Sequence, residues 1–282
     1  MEAARLEIHL IDGTYELFRH YYAVPSAKDE DGREVGAVRG VLASLLGMLK
    51  SGTTHIGVAT DHVIESFRND LWADYKTGEG IERALWAQFN PLEESLVAMG
   101  VATWAMVELE ADDALASAAH IAAQDERVEK VCIWTPDKDL SQCVIGERVV
   151  QVDRKSGKIR DETGVVAKFG VGPAFIPDYL ALVGDAADGY PGVAGCGPKT
   201  AASLINKYGH IEDFPPSALG NNREHALLFK DLATLRSDAP LFKDVDDIRW
   251  VGVTESFPSV AEKIGDPRLA VRMQTIADAR PR

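Results

Sequence analysis

Gly192–Gly209 reads GVAGCGPKTAASLINKYG: four glycines, a proline and two lysines, without one acidic side chain. The chain around it is acidic, with 44 Asp and Glu against 30 Lys and Arg and a formal net charge of -14 over 282 residues. Gly195 and Gly197 permit a tight turn, Pro198 suits a first helical position, and the spacing from Ala201 to Tyr208 predicts a helix. Backbone N–H groups at such a start bind phosphate, and Lys199 adds positive charge. The plainer alternative is a loop leading into a surface helix. A dinucleotide-binding loop is disfavoured, because no strand runs directly into these glycines.

Working outward, four apolar segments read as strands, and each delivers carboxylates at its C-terminal end. LEIHLID ends at Asp12, THIGVATD at Asp61, and KVCIWTPDKD at Asp137 and Asp139; VATWAMVELEADD ends in Glu108, Glu110, Asp112 and Asp113. Between them lie helical patterns such as GAVRGVLASLLGMLK and ADDALASAAHIAAQ. The alternation predicts an α/β fold, a mainly parallel sheet with helices on both faces. In open parallel sheets ligands bind at the C-terminal edge. Helix capping alone would account for an acid at Asp112 or Asp113, but not for four strands all ending in acid.

Nine acids are thus expected to converge: Asp12, Asp61, Glu110, Asp112, Asp113, Asp137, Asp139, Asp185 and Asp188. So many like charges need counter-ions. Hard oxygen ligands without a Cys/His set select Mg²⁺ or Mn²⁺. Two or more such ions would suit phosphodiester hydrolysis. The 46% hydrophobic and 26% charged composition fits a globular protein with a sizeable core. No apolar run approaches the ~20 residues of a membrane span. The start MEAARLEIHL lacks signal-peptide features, and three sparse cysteines fit a reducing, cytoplasmic setting. After about Gly170 the texture turns helical and glycine-punctuated. Trp72–Phe89 reads as an insertion after the second strand.

The run of LIDGTYELFRHYYA, SFRNDLWADYK, ELEADD, TPDKDLSQ and LALVGDAADGYPGVAGCGPKTA, in that order, resembles the 5′ nuclease superfamily. That superfamily includes flap endonucleases, phage 5′ exonucleases and the 5′-nuclease domain of bacterial DNA polymerase I. The resemblance implies a PIN-like core over residues 1–170 with a helical arch at about 70–95. A helix–hairpin–helix (H3TH) subdomain would occupy 171–250, and residues 251–282 would pack back on the core. It implies that the nine acids are ligands of the metal centre. Asp12, Asp61, Glu110, Asp112 and Asp113 would lie nearer one ion, and Asp137, Asp139, Asp185 and Asp188 nearer the other. Lys76, Arg68 and Arg19 match basic positions of the active site, and Tyr21 could stack on a base. Gly192, Gly195, Gly197, Lys199 and Thr200 would grip duplex phosphates, with K⁺ a possible companion ion.

What the resemblance implies is a monomeric 5′ nuclease, without a polymerase on the same chain, acting on DNA with 5′ flaps, nicks or 5′ ends in replication and repair. Two departures stand out. Glu79 occupies a place where the family usually has arginine, which should weaken the arch's grip. Gly189 replaces an asparagine, which should loosen the turn beside Asp188. Two other readings stay open: a PIN-type ribonuclease, and a non-catalytic DNA-structure-binding relative.

Overall fold

The computed structural model describes residues 5–280; Met1–Ala4 and Pro281–Arg282, which fall at the ends of the outer expected segments, lie outside the described residues. Six strands form one sheet: β1 (Leu6–Asp12), β2 (His55–Asp61), β3 (Ala102–Met106), β4 (Val128–Trp134), β5 (Val149–Asp153) and β6 (Lys158–Arg160). Their order is β3-β2-β1-β4-β5-β6. The first five run parallel, and β6 returns antiparallel to β5 at the edge. Ile8 of β1 faces His55 of β2 on one side and Val131 of β4 on the other. The strand order therefore reverses at β1/β4, the switch point at which an open parallel sheet offers a crevice at the C-terminal ends of its strands. The β5–β6 hairpin is absent from the sequence reading. VVQVD is short and followed by a charged turn, DRKSGK, so its alternation carries little signal.

Thirteen α-helices are found among the described residues. Before the centre of the chain come α1 (Gly13–Tyr21), α2 (Gly36–Lys50), α3 (Phe67–Leu71), α4 (Arg83–Trp86), α5 (Phe89–Ala98) and α6 (Ala111–Gln124). After it come α7 (Glu162–Phe169), α8 (Ile176–Val183), α9 (Pro198–Tyr208), α10 (Pro216–Leu219), α11 (Arg223–Ala233), α12 (Phe257–Lys263) and α13 (Pro267–Asp278). No single helix among the described residues is long and apolar enough to cross a membrane.

Alternation along β1 decides which helix covers which face. Ile8 and Leu10 point to alanine-rich α6, with Ile133 of β4, while Ile11 joins α2 and α5 on the opposite side. In α2 the buried Val38, Val41, Leu42, Leu45, Leu46 and Leu49 recur at three- and four-residue steps, the stripe that one helix face presents. A separate core unites α7, α8, α9 and α11 through Val165, Ile176, Leu180, Ile205 and Phe229. The segment expected as a helical arch, about 70–95, is irregular in its first part and helical in α4 and α5. Residues 72–82 are irregular, α4 is one turn whose Leu85 is buried, and α5 is core, because Phe89, Leu92 and Leu96 are buried with α2.

The last two helices return to the first core. Phe257, Ile264, Leu269 and Met273 are buried with α2 and α5, and Trp250 Nε1 donates to the Met99 carbonyl at 2.8 Å. Phe257→Ala should therefore cost about 3–5 kcal/mol, the usual loss for emptying a buried phenylalanine site. Urea denaturation measures it, and a loss below about 1 kcal/mol would mean that these helices merely rest on the surface.

Candidate active site

β1 ends in Asp12, whose Oδ1 accepts the Tyr15 N–H at 2.8 Å and so caps α1. Its other oxygen accepts the Thr135 hydroxyl at 3.0 Å, just beyond β4. Asp61 ends β2, and its Oδ1 caps α6 through Ala111 N–H at 2.8 Å. Asp112 sits in the first turn of α6. Asp137 and Asp139 follow β4, the latter opening a 3₁₀ turn (Asp139–Cys143). Asp185 and Asp188 follow α8 and belong to the second core's side of the crevice. Capping explains why several of these acids are held so firmly, but not why they share one crevice.

The electrostatic consequence is a set of carboxyls that resist ionisation. Burial, then the charges of Asp61 and Asp137, push Asp12 up to about 7 from an ordinary 3.8, against the pull of Tyr15 N–H and the Thr135 hydroxyl. Burial together with Asp137 and Asp12 raises Asp112, and burial with Asp137, Asp188 and Asp185 raises Asp139. Asp188 rises to about 6 by burial, opposed by Lys76 and reinforced by Asp185. Burial likewise raises Asp61. Glu110 goes the other way: burial would raise it, but the cations of Lys76 and Arg68 outweigh that and hold it low. Eight of the nine expected acids thus act on one another.

Asp113 departs from the expectation of a metal ligand. It is fully buried, and Arg68 Nη1 and Nη2 reach its two oxygens at 2.8 Å each. The same oxygens accept the backbone N–H groups of Glu110 (3.0 Å) and Arg236 (2.8 Å). With both oxygens saturated, it anchors the start of α6. Arg68 is likewise no substrate contact. It is 1% exposed and also donates to Glu110 Oε1 (3.0 Å) and to the carbonyls of Leu232 (2.8 Å) and Thr234 (3.2 Å). Arg19 touches none of the nine acids; it lies bidentate on Glu16 at 3.0 and 2.7 Å. Tyr21 is half-buried and donates to Glu82, whereas neighbouring Tyr22 is the exposed ring.

Lys76 does reach the acids. Its Nζ lies 2.6 Å from Glu110 Oε2 and 3.4 Å from Asp188 Oδ1, and its N–H donates to the Asp188 carbonyl at 3.0 Å. Gly189 allows this approach. Its φ is +83°, and a Cβ there would lie 2.0 Å from the Asp74 carbonyl oxygen. Rather than loosening the turn, the glycine lets the 74–76 backbone dock on it, with Trp72 Nε1 donating to the Gly189 carbonyl at 3.1 Å. Glu79 is exposed at the loop tip.

The hairpin between α8 and α9 is close-packed at its base and open at its tip. Val193 N–H donates to the Leu182 carbonyl at 2.9 Å, and a Cβ on Gly192 would lie 2.4 Å from Gly184 N. Gly195, Gly197, Lys199 and Thr200 are exposed, with open space around both of those glycines.

The donor set fits hard divalent cations. Asp139, Asp185 and Asp188 each offer one oxygen within 4.8 Å of the others. Asp139 Oδ1 is buried with no hydrogen-bond partner, an orphan that a cation would satisfy. No histidine or cysteine belongs to that trio. Sequence reasoning passed over two residues beside it. Lys138 lies between two of the aspartates, inside TPDKDLSQ, and its Nζ is 2.5 Å from Asp185 Oδ2. Gln142 clasps the far chain through the Ala233 carbonyl (3.0 Å) and Leu235 N–H (3.0 Å).

The fold is that of the 5′ nucleases. The chain belongs to the 5′-3′ exonuclease family: the family's N-terminal, resolvase-like domain matches residues 7–170, and its C-terminal SAM fold matches residues 171–256. It is similar to DNA polymerase I of Pseudomonas aeruginosa, 35% identical over 259 residues, which are 85% of this chain and 28% of that one. The chain thus spans about a quarter of that polymerase. It is also similar to a 5′-3′ exonuclease of Aquifex aeolicus, 34% identical over 208 residues, 73% of this chain and 71% of the relative. The fold is shared with zinc-bound T5 5′-exonuclease (TM-score 0.67, 16% identity, 96% and 98% of the two chains). The catalytic core of Rad2 in complex with DNA substrate shares it too (TM-score 0.63, 14% identity, 98% and 94%).

Two outcomes follow from this geometry. Arg68→Ala should cost about 3–5 kcal/mol, since it strands a buried carboxylate, and Arg68→Lys should recover only part of that loss; chemical denaturation reads both. The second concerns pH. Because Asp12 and Asp188 keep protons to about 7 and about 6 when folded, the folded chain holds more protons than the unfolded one above an ordinary 3.8. Stability without divalent ions should therefore fall as pH rises through that window. Added Mg²⁺ should raise Tm more at pH 8 than at pH 5, where protons already neutralise the cluster; equal gains at both would overturn this.

Proposed function

We propose that the chain is a structure-specific nuclease hydrolysing DNA phosphodiesters at 5′ flaps and 5′ ends. The observation that carries this is the convergence of eight acids at the β1/β4 crevice, with the orphaned Asp139 oxygen among them. Asp139, Asp185 and Asp188, with Asp137 beside them, would hold one Mg²⁺ or Mn²⁺, and Asp12, Asp61, Glu110 and Asp112 would lie nearer another. Divalent ions bound there supply Lewis-acid polarisation of the scissile phosphate and lower the pKa of the attacking water. Lys76 aims its ammonium into the same crevice, beside Glu110 and Asp188, where a phosphate would replace a carboxylate as its partner.

The exposed hairpin ending at the N-terminus of α9 suits the duplex beside the cut. Its free N–H groups, Lys199 and Thr200 face solvent, and its carbonyls could hold K⁺ against a phosphate. Such contacts carry no base information, which suits recognition by structure rather than sequence. The DNA reading is favoured over RNA by this hairpin, which PIN-type ribonucleases lack. Glu79, exposed on the loop beyond Lys76, would repel a single strand passing there.

A labelled 5′-flap DNA and the matching RNA, each with and without Mg²⁺, test the proposal. The DNA should be cut only with Mg²⁺. Asp139→Asn should slow cutting by more than the roughly 10–100-fold typical of losing an outer-shell group, with DNA affinity kept or improved by the lost negative charge. Preferential cutting of RNA would favour the ribonuclease reading, and binding without cutting a non-catalytic one.

A further inference from the structure

Lys138 has no part in the site as read from the sequence, yet it stands among its acids. Its backbone is fixed by the 3₁₀ turn after β4, where Ser141 N–H donates to the Lys138 carbonyl at 3.0 Å. From there the side chain reaches across the crevice to Asp185, beyond the end of α8, at 2.5 Å. Asp185 Oδ1 already accepts the Ala187 N–H at 3.0 Å. The ammonium sits on Oδ2, the oxygen of Asp185 that no main-chain N–H occupies. Across the trio, Lys76 plays a corresponding part 3.4 Å from Asp188, while Asp139 keeps its orphaned oxygen.

We propose that Lys138 is a built-in counter-ion of the acidic centre, which holds Asp185 in place beforehand and competes with a divalent cation for Asp185 Oδ2. The idea rests on the reading of this centre as a metal site. Exposure decides between a displaceable and a permanent cation. The Lys138 side chain is 33% exposed, so its ammonium can leave Asp185 without being stranded in the interior; Arg68, 1% exposed, has no such exit. A lysine head is a compact point charge on a flexible stem, which suits a partner that must exchange. Once released, it stands at the rim of the crevice with a free positive charge that a DNA phosphate would take up. Lys138 is thus a positioning residue whose occupancy of Asp185 links cation loading to the arrival of polyanion.

The test is Mn²⁺ binding to the whole chain without DNA, read by electron paramagnetic resonance of the free ion, for wild type, Lys138→Gln and Lys138→Arg. Lys138→Gln should bind about tenfold more tightly, having lost the competitor; Lys138→Arg should stay near wild type. In EDTA the melting temperature of Lys138→Gln should fall below wild type, and in saturating Mn²⁺ the two should coincide. A purely structural lysine would lower the melting temperature in both conditions and leave the affinity alone. If wild type binds Mn²⁺ and Lys138→Gln binds equally or more weakly, the proposal is overturned; should that variant not fold, Lys138→Ala carries the same comparison. If wild type itself binds no Mn²⁺, it is the metal-centre reading that falls, and this proposal with it.

Discussion

Burying a guanidinium is costly unless every donor finds an acceptor and its charge is matched. Arg68 meets that condition through two carboxylates and two main-chain carbonyls from two distant parts of the chain. The carboxylates belong to the start of α6, in the sheet's own layer, and the carbonyls to the end of α11 and the residue after it, in the second core's layer. One side chain therefore sets where the helical part stands against the crevice. Asp113 is consumed in the process, and Glu110 is turned so that its other oxygen meets Lys76. Trp72 packs edge-on against Phe229 with ring centroids 5.2 Å apart, tying the loop after α3 to α11 as well.

Seen from this constraint, the protein's acidity is less forbidding to a polyanion than its net charge suggests. Many of the negative charges lie in one crevice, where burial favours their protonated forms and two lysines offset part of the rest. Cations bound there would reverse the local field. The hairpin before α9, in contrast, carries no acidic side chain and exposes Lys199. The two surfaces meet because Asp185 and Asp188 sit at the base of that same hairpin, Asp185 pairing through both main-chain groups with Tyr190.

Strands ending in acids and a glycine-rich turn before a helix are local patterns, so the sheet, the crevice and the hairpin were legible in LEIHLID, THIGVATD and GCGPKTA. What stayed hidden depends on partners far along the chain. Nothing in ELEADD says that Asp112 faces the crevice while Asp113 turns back to Arg68. That choice follows from helix phase and from carbonyls more than a hundred residues away. Gly189 reads as a missing side chain until the Asp74 carbonyl is placed against it. Lys138 looks like one more surface lysine between two aspartates, since only Asp185, brought in by the second core, gives it a partner.

The return of α12 and α13 bears on how the chain acquires its shape. The layer that covers Ile11, Ile56 and Val58 is built from residues near both extremes, since Phe257 and Met273 pack with Val38 and Leu46. During synthesis the first hundred residues emerge with one flank of their core unfilled, and that flank waits for more than 150 further residues. Contacts of such long sequence separation slow folding, because the loop must close before the contact rewards it. The intervening helical part has its own core and can order first. The helical layer over that face of the sheet would then be completed last, around a crevice whose final acids have already been delivered.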